Sequence, residues 1–118
     1  LLGCDNINRW DSKVYKKSFH LYKRIYPALI NFPKSEKYAL CKDVKTNYNQ
    51  LMKYILLADK VKSKRKKYQE EADGYLQILK FLFDLIDFKE YLSKNFIKDI
   101  HKELSEIGFL LSGWIKKS

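Results

Sequence analysis

The sequence predicts an all-α fold, an up-down-up-down four-helix bundle. Apolar residues recur at three- and four-residue spacing through most of the 118-residue chain. Only four Gly and two Pro punctuate it, too few for the many turns of a strand-rich fold. The strongest breaks fall around Pro33, around Ser63 and at residues 89–92, which leaves four long periodic segments. A hydrophobic fraction of 46% excludes a disordered chain. The length suits a single domain small enough to gain from self-association.

Residues 1–11 lack a sustained period and read as a lead-in, with Trp10 a candidate to pin it to the bundle of residues 12–118. Asp11 or Ser12 can cap the first helix. Its expected apolar face is Tyr15, Phe19, Tyr22, Tyr26, Leu29 and Ile30, widened by Leu21 and Ile25. Pro27 removes a helical hydrogen bond and kinks the axis if the helix runs on to Asn31.

Pro33 ends that helix, Ser35 can cap the next, and Glu36 suits a positive helix end. A second helix is expected from Glu36 to about Lys60, with a buried seam of Tyr38, Cys41, Val44, Tyr48, Leu51, Met52, Ile55 and Ala58. A third follows from about Lys64 to Phe88, with Ser63 as a possible cap. In its Tyr75–Phe88 stretch the only polar residues are Gln77, Lys80, Asp84 and Asp87, one narrow stripe at the helical period. A surface helix of an ordinary monomer carries a narrower apolar face than this. The helix therefore lies deep in the bundle, or is covered on one side by its own chain and on another by a second copy. The small size of the chain favours the second arrangement. Ser93 can cap the last helix, where Ile97, Ile100, Leu104, Ile107, Leu111 and Trp114 keep a heptad spacing. Gly108 and Gly113 are expected where that helix closely approaches another backbone.

The net charge of +10 predicts attraction to polyanions. It is unevenly spread: residues 34–67 carry eleven cations against three anions, whereas residues 68–93 carry two against six. The candidate nucleic-acid or partner contacts are Lys13, Lys16, Lys17, Lys23 and Arg24 on the first helix, and Lys42, Lys45 and Lys53 on the second. Lys62, Lys64, Arg65, Lys66 and Lys67 in and after the basic turn complete the set. The nine Tyr read as core and core-edge residues.

Catalytic patterns are missing. His20 and His101 stand apart, no His/Cys pair has the spacing of a zinc site, and there is no glycine-rich phosphate loop. Cys41 and His101 could meet in space, but a buried thiol and a partly exposed imidazole are the more ordinary reading. No enzyme, cofactor or metal is expected. Two cysteines make no disulfide framework, so a cytoplasmic location is expected. No stretch reads as a signal peptide or membrane span.

F-P-K-S-E-K-Y at Phe32–Tyr38 is followed by a long helix, a basic turn, an apolar third helix and E-I-G-F-L-L-S-G-W-I-K at Glu106–Lys116. Over residues 13–116 this pattern resembles the accessory variability determinant (Avd) proteins of diversity-generating retroelements. The phenylalanine-proline turn is shared with the wider four-helix-bundle family encoded in intervening sequences of ribosomal RNA genes. The arginine-rich second helix of that wider family is missing here, and Gly113-Trp114 points to the Avd branch. Ser112 stands where a glycine is expected. The resemblance implies a barrel-like homopentamer with a basic surface that binds a reverse transcriptase and template-repeat RNA. It also implies that the protein supports mutagenic cDNA synthesis while the polymerase carries the chemistry. The alternative is a structural or interaction bundle of the intervening-sequence type, whose basic face meets an acidic protein or binds RNA non-specifically.

Overall fold

The hydroxyl of Ser12 accepts a hydrogen bond from the backbone N–H of Tyr15 at 3.2 Å and starts the first helix. The computed structural model describes residues 12–117. The lead-in of residues 1–11, with Trp10 and the candidate cap Asp11, lies outside the described residues. Four helices follow: α1 (Lys13–Ala28), α2 (Leu40–Lys60), α3 (Arg65–Phe88) and α4 (Lys94–Lys117), with no strand among the described residues. Short 3-10 turns cover Leu29–Asn31, Lys34–Glu36 and Lys62–Lys64. No described helix is long and apolar enough to cross a membrane.

Cross-helix contacts fix the topology. Tyr48 of α2 reaches the Ser18 carbonyl of α1, while Cys41, earlier in α2, reaches the carbonyl of Leu29 just past α1, so the two run antiparallel. Asp84 meets His101 and Asp87 meets Lys94, so α3 and α4 are also antiparallel. Lys17 meets Glu106 and Arg24 meets Asp99, which closes α1 against α4 in the same sense. With α2 and α3 joined by a tight turn, the four helices form an up-down-up-down bundle.

The core runs along its centre. Leu21, Ile25, Val44, Leu51, Leu76, Leu79, Phe83, Ile86, Ile100, Leu104 and Ile107 are fully buried, each stabilising the fold by roughly 1.5–3 kcal/mol relative to exposure. The heptad of α4 is buried as expected from Ile97 to Leu111, with Trp114 half-buried at its end.

The face of α1 is the expected one at Tyr15, Leu21, Ile25 and Leu29 and departs from it at the outer aromatics and Ile30. Its buried residues are Val14, Tyr15, Ser18, Leu21, Ile25 and, just past its end, Leu29, while Phe19, Tyr26 and Ile30 are exposed. Aliphatic side chains take the centre, and the aromatics, broad enough to pack by one edge, ring it. Pro27 falls in the last turn of α1, where the chain tightens into a 3-10 turn rather than continuing as α-helix.

The second helix begins at Leu40, not Glu36. Lys37 donates to the carbonyls of Leu29 (3.1 Å) and Ile30, and Tyr91 donates to Glu36 at 2.8 Å. These bonds hold residues 34–39 against the end of α1 and the α3–α4 link, and Tyr38 is left 88% exposed instead of joining the seam. Ser63 does not cap α3; its N-cap position is Lys64, with no side-chain hydrogen bond. Ser93 caps α4 as expected, accepting from the N–H of Phe96 at 3.2 Å.

On α3, Leu76, Leu79, Leu82, Phe83 and Ile86 face the core. Asp84, exposed, and Asp87, half-buried, end the polar stripe on the surface beside α4, where they meet His101 and Lys94. Next to that stripe the outward side shows Ile78, Phe81 (62% exposed), Leu85 and Phe88 (80% exposed) at three-four spacing. A Cβ on Gly108 would meet Leu76 Cδ2 at 3.3 Å, a side chain rather than a backbone, and Gly74 and Gly113 face open space.

Candidate nucleic-acid interface

Antiparallel packing decides where the cations gather. The start of α1, the end of α2, the start of α3 and the end of α4 all lie at one end of the bundle. That end carries Lys13, Lys60, Lys62, Lys64, Lys66, Lys67, Lys116 and Lys117. Lys13 and Lys117 line one cavity there, of about 420 Å³, with Asp59 and Trp114. Lys62, Lys64, Lys66 and Lys67 are exposed, and none makes an ion pair within the described residues. The end carbonyls of α2 and α4 add partial negative charge that lysines favourably offset.

Arg65 stands in the same run but has another job. Its Nε donates to the Ala58 carbonyl at 2.8 Å and its Nη2 to the Asp59 carbonyl at 3.0 Å, capping the end of α2. Its guanidinium also lies 5.8 Å from the Trp114 ring.

The first-helix cations divide in two. Lys17 pairs with Glu106 at 3.0 Å and Glu103 at 3.5 Å, and Arg24 pairs with Asp99 and Glu103. Glu103 is therefore a nearly buried carboxylate held between two cations of a neighbouring helix. The Arg24 hydrogen bond holds the Asp99 carboxyl below the usual carboxylate range, and the Glu106 bond raises the Lys17 ammonium. Both cations are thus engaged in joining α1 to α4. Lys13 and Lys16 are exposed near the start of α1, and Lys23 is exposed further along it.

A second surface lies where α1 meets α2. Lys23 Nζ sits 4.8 Å from the centroid of the Phe19 ring, and Lys45 Nζ sits 4.5 Å from that of Tyr26. Tyr26 makes an edge contact with Tyr22, at 5.7 Å and 76°. Tyr22 in turn stacks on the buried Tyr48 and donates to Asn49 Oδ1 at 3.0 Å. Burial, with the nearby phenol of Tyr26 second, raises the Tyr22 phenol. Lys42 is exposed one helical turn before Lys45. Lys53, further along α2, lies 5.4 Å from the Tyr54 ring, beside the Tyr54–Tyr75 stack.

Eleven of the thirteen candidate cations therefore fall into an end cluster, an α1–α2 face and three residues committed to the fold; Lys16 stands near the start of α1 and Lys53 beside the Tyr54–Tyr75 stack. Lys60, Lys116 and Lys117 join the end cluster although they were not among the sequence candidates. The antiparallel topology was the signal for them, since it returns the last helix to the basic turn. Cys41 and His101 have separate partners: the thiol lies 3.6 Å from the Leu29 carbonyl, and the imidazole faces Asp84. Burial pushes the Cys41 thiol up, away from the reactive thiolate. Among the described residues no group of His, Cys, Asp and Glu could hold a metal ion.

The sequence profile of a family described as bAvd-like matches residues 13–118. No curated protein matches the chain.

Proposed function

The chain belongs to the bAvd-like family, and on that premise we propose that it is a non-catalytic accessory protein of a diversity-generating retroelement. In this reading it binds the element's reverse transcriptase and template RNA and supports mutagenic cDNA synthesis in the cytoplasm. The observation that carries the reading is the gathering of unpaired lysines at one end of the bundle, where they are close enough to act on one polyanion.

Assembly into a barrel-like homopentamer belongs to the same proposal. Ile78, Phe81, Leu85 and Phe88 form an apolar seam that stands exposed among the described residues. In a closed ring each copy meets its neighbour through two different faces, so this seam supplies one side of the contact. Five parallel bundles then bring five basic ends around one opening, and a polyanion there offsets their mutual repulsion.

Filter binding with structured RNA across a salt series, beside a pull-down with the reverse transcriptase, tests the reading. With about six phosphates neutralised, affinity falls roughly a thousandfold between 50 and 200 mM salt. Binding to an acidic protein but to no RNA at any salt concentration would favour the structural bundle instead.

A further inference from the structure

The two exposed apolar seams of this protomer differ in kind. The α3 seam is largely aliphatic and phenyl, and Asp84 and Asp87 run beside it. The α1–α2 surface is aromatic, Lys23 and Lys45 lie over its rings, and Lys42 is exposed one helical turn before Lys45. Phe19 is 39% exposed and Tyr26 50% exposed. Each ring is supported from within the bundle, Phe19 by Tyr15 at 6.0 Å and Tyr26 by Tyr22 at 5.7 Å, so neither can fold away when its outer surface is used.

We propose that this face is a track for single-stranded RNA, with unpaired bases stacking on Phe19 and Tyr26 and the phosphates held by Lys23, Lys42 and Lys45. The proposal rests on the RNA-binding reading above and adds to it the form of RNA and the residues that select it.

Spacing and charge argue for it. Phe19 and Tyr26 are seven residues apart on one helix, a rise of about 10 Å. That is about three steps of a stacked strand, so one continuous strand can use both rings. Lys23 and Lys45 already lie over Phe19 and Tyr26, and an ammonium over an exposed ring is held less strongly than a base stacked there. The incoming base takes the ring, and the displaced ammonium stays within reach of that nucleotide's phosphate. A duplex offers the same phosphates but no free base faces, so the rings give it nothing. The lysines also disfavour a second copy of the same face through like-charge repulsion.

The test is fluorescence anisotropy of the full chain with a labelled single-stranded oligonucleotide and a duplex of equal length. Phe19→Ala and Tyr26→Ala should each weaken single-strand binding by about tenfold, leaving duplex binding and the salt slope unchanged. Tyr26→Phe keeps the ring and should bind like the parent. Lys23→Gln with Lys45→Gln should flatten the salt slope for the single strand. The proposal is overturned if the alanine variants bind the single strand as tightly as the parent, or if the losses are equal for duplex and single strand. It is also overturned if the alanine variants change oligomeric state by sedimentation, since the face would then be a subunit contact. Loss of binding to every RNA form in the parent chain would remove the RNA-binding reading itself.

Discussion

Nε2 of His101 lies 3.1 Å from Oδ1 of Asp84. The pair joins α3 to α4 at the surface, and Phe81 and Leu85 stand exposed in the apolar seam beside it. Charging that seam should break assembly without harming the protomer, since neither side chain is part of the core. Phe81→Lys with Leu85→Lys is expected to give a helical monomer of 14.2 kDa by light scattering, where the parent chain gives a larger particle. A parent chain that scatters as a monomer would leave the seam without a partner copy.

Arg65 and its neighbouring lysines should separate cleanly. Replacing Lys62, Lys64, Lys66 and Lys67 with Gln should flatten the salt dependence of RNA binding and leave the urea midpoint unchanged. Arg65→Gln removes the two bonds to the Ala58 and Asp59 carbonyls and should cost about 1 kcal/mol of stability. Its effect on the salt slope should be small.

Two pH limits follow from the charged and phenolic groups. Because Arg24 holds the Asp99 carboxyl below its ordinary value of 3.8, the pair's contribution is complete above that value and is lost as the pH falls through the lowered one. Asp99→Asn should therefore be less stable than the parent near neutrality, and the gap should close in acid. At the other extreme, burial raises the Tyr48 phenol above its ordinary value of 10.0. The unfolded chain ionises first, so stability is full below that value and falls as the pH climbs above it. Tyr48→Phe should soften this alkaline loss, at a cost of about 1 kcal/mol near neutrality for the bond to the Ser18 carbonyl. Denaturation midpoints across the pH range check both limits.

Glu90 ends α3 with φ of 59°, the left-handed region where glycine is favoured. The N–H of Tyr91 donates to the Ile86 carbonyl and that of Glu90 to the Asp87 carbonyl, the pairing that closes a helix through such a residue. Glu90→Gly is expected to stabilise the chain by about 1 kcal/mol, read as a higher melting temperature. An unchanged or lower value would mean that the side chain compensates for its own backbone.

Four helices and their order were legible because their apolar periods are long and the breaks between them are chemically distinct. The α4 heptad was legible to the residue from Ile97 to Leu111. The α1 face was legible in part: Tyr15, Leu21, Ile25 and Leu29 are buried, but Phe19 and Tyr26, which at helical spacing look like the same stripe, stay at the surface. The late start of α2 depends on Lys37 and Glu36 finding partners in the α1 end and the α3–α4 link. Local cap signals do not encode those partners. The candidate cations were legible as a set, but their division was not. Whether Lys17, Arg24 or Arg65 is held by the fold depends on carboxylates and carbonyls that only tertiary packing brings near.

The α1–α4 seam also sets a timetable. Arg24 and Glu103 are 79 residues apart in the chain, whereas α2 and α3 are joined by a turn of a few residues. At roughly 5–20 residues per second a ribosome needs roughly 4–16 s to pass from one to the other, while local helical contacts form in microseconds. The α2–α3 hairpin can therefore assemble on the nascent chain as soon as it emerges. Throughout that interval α1 waits with Leu21 and Ile25 uncovered on one side, and Lys17 and Arg24 carry uncompensated charge beside the RNA-rich surface of the ribosome itself.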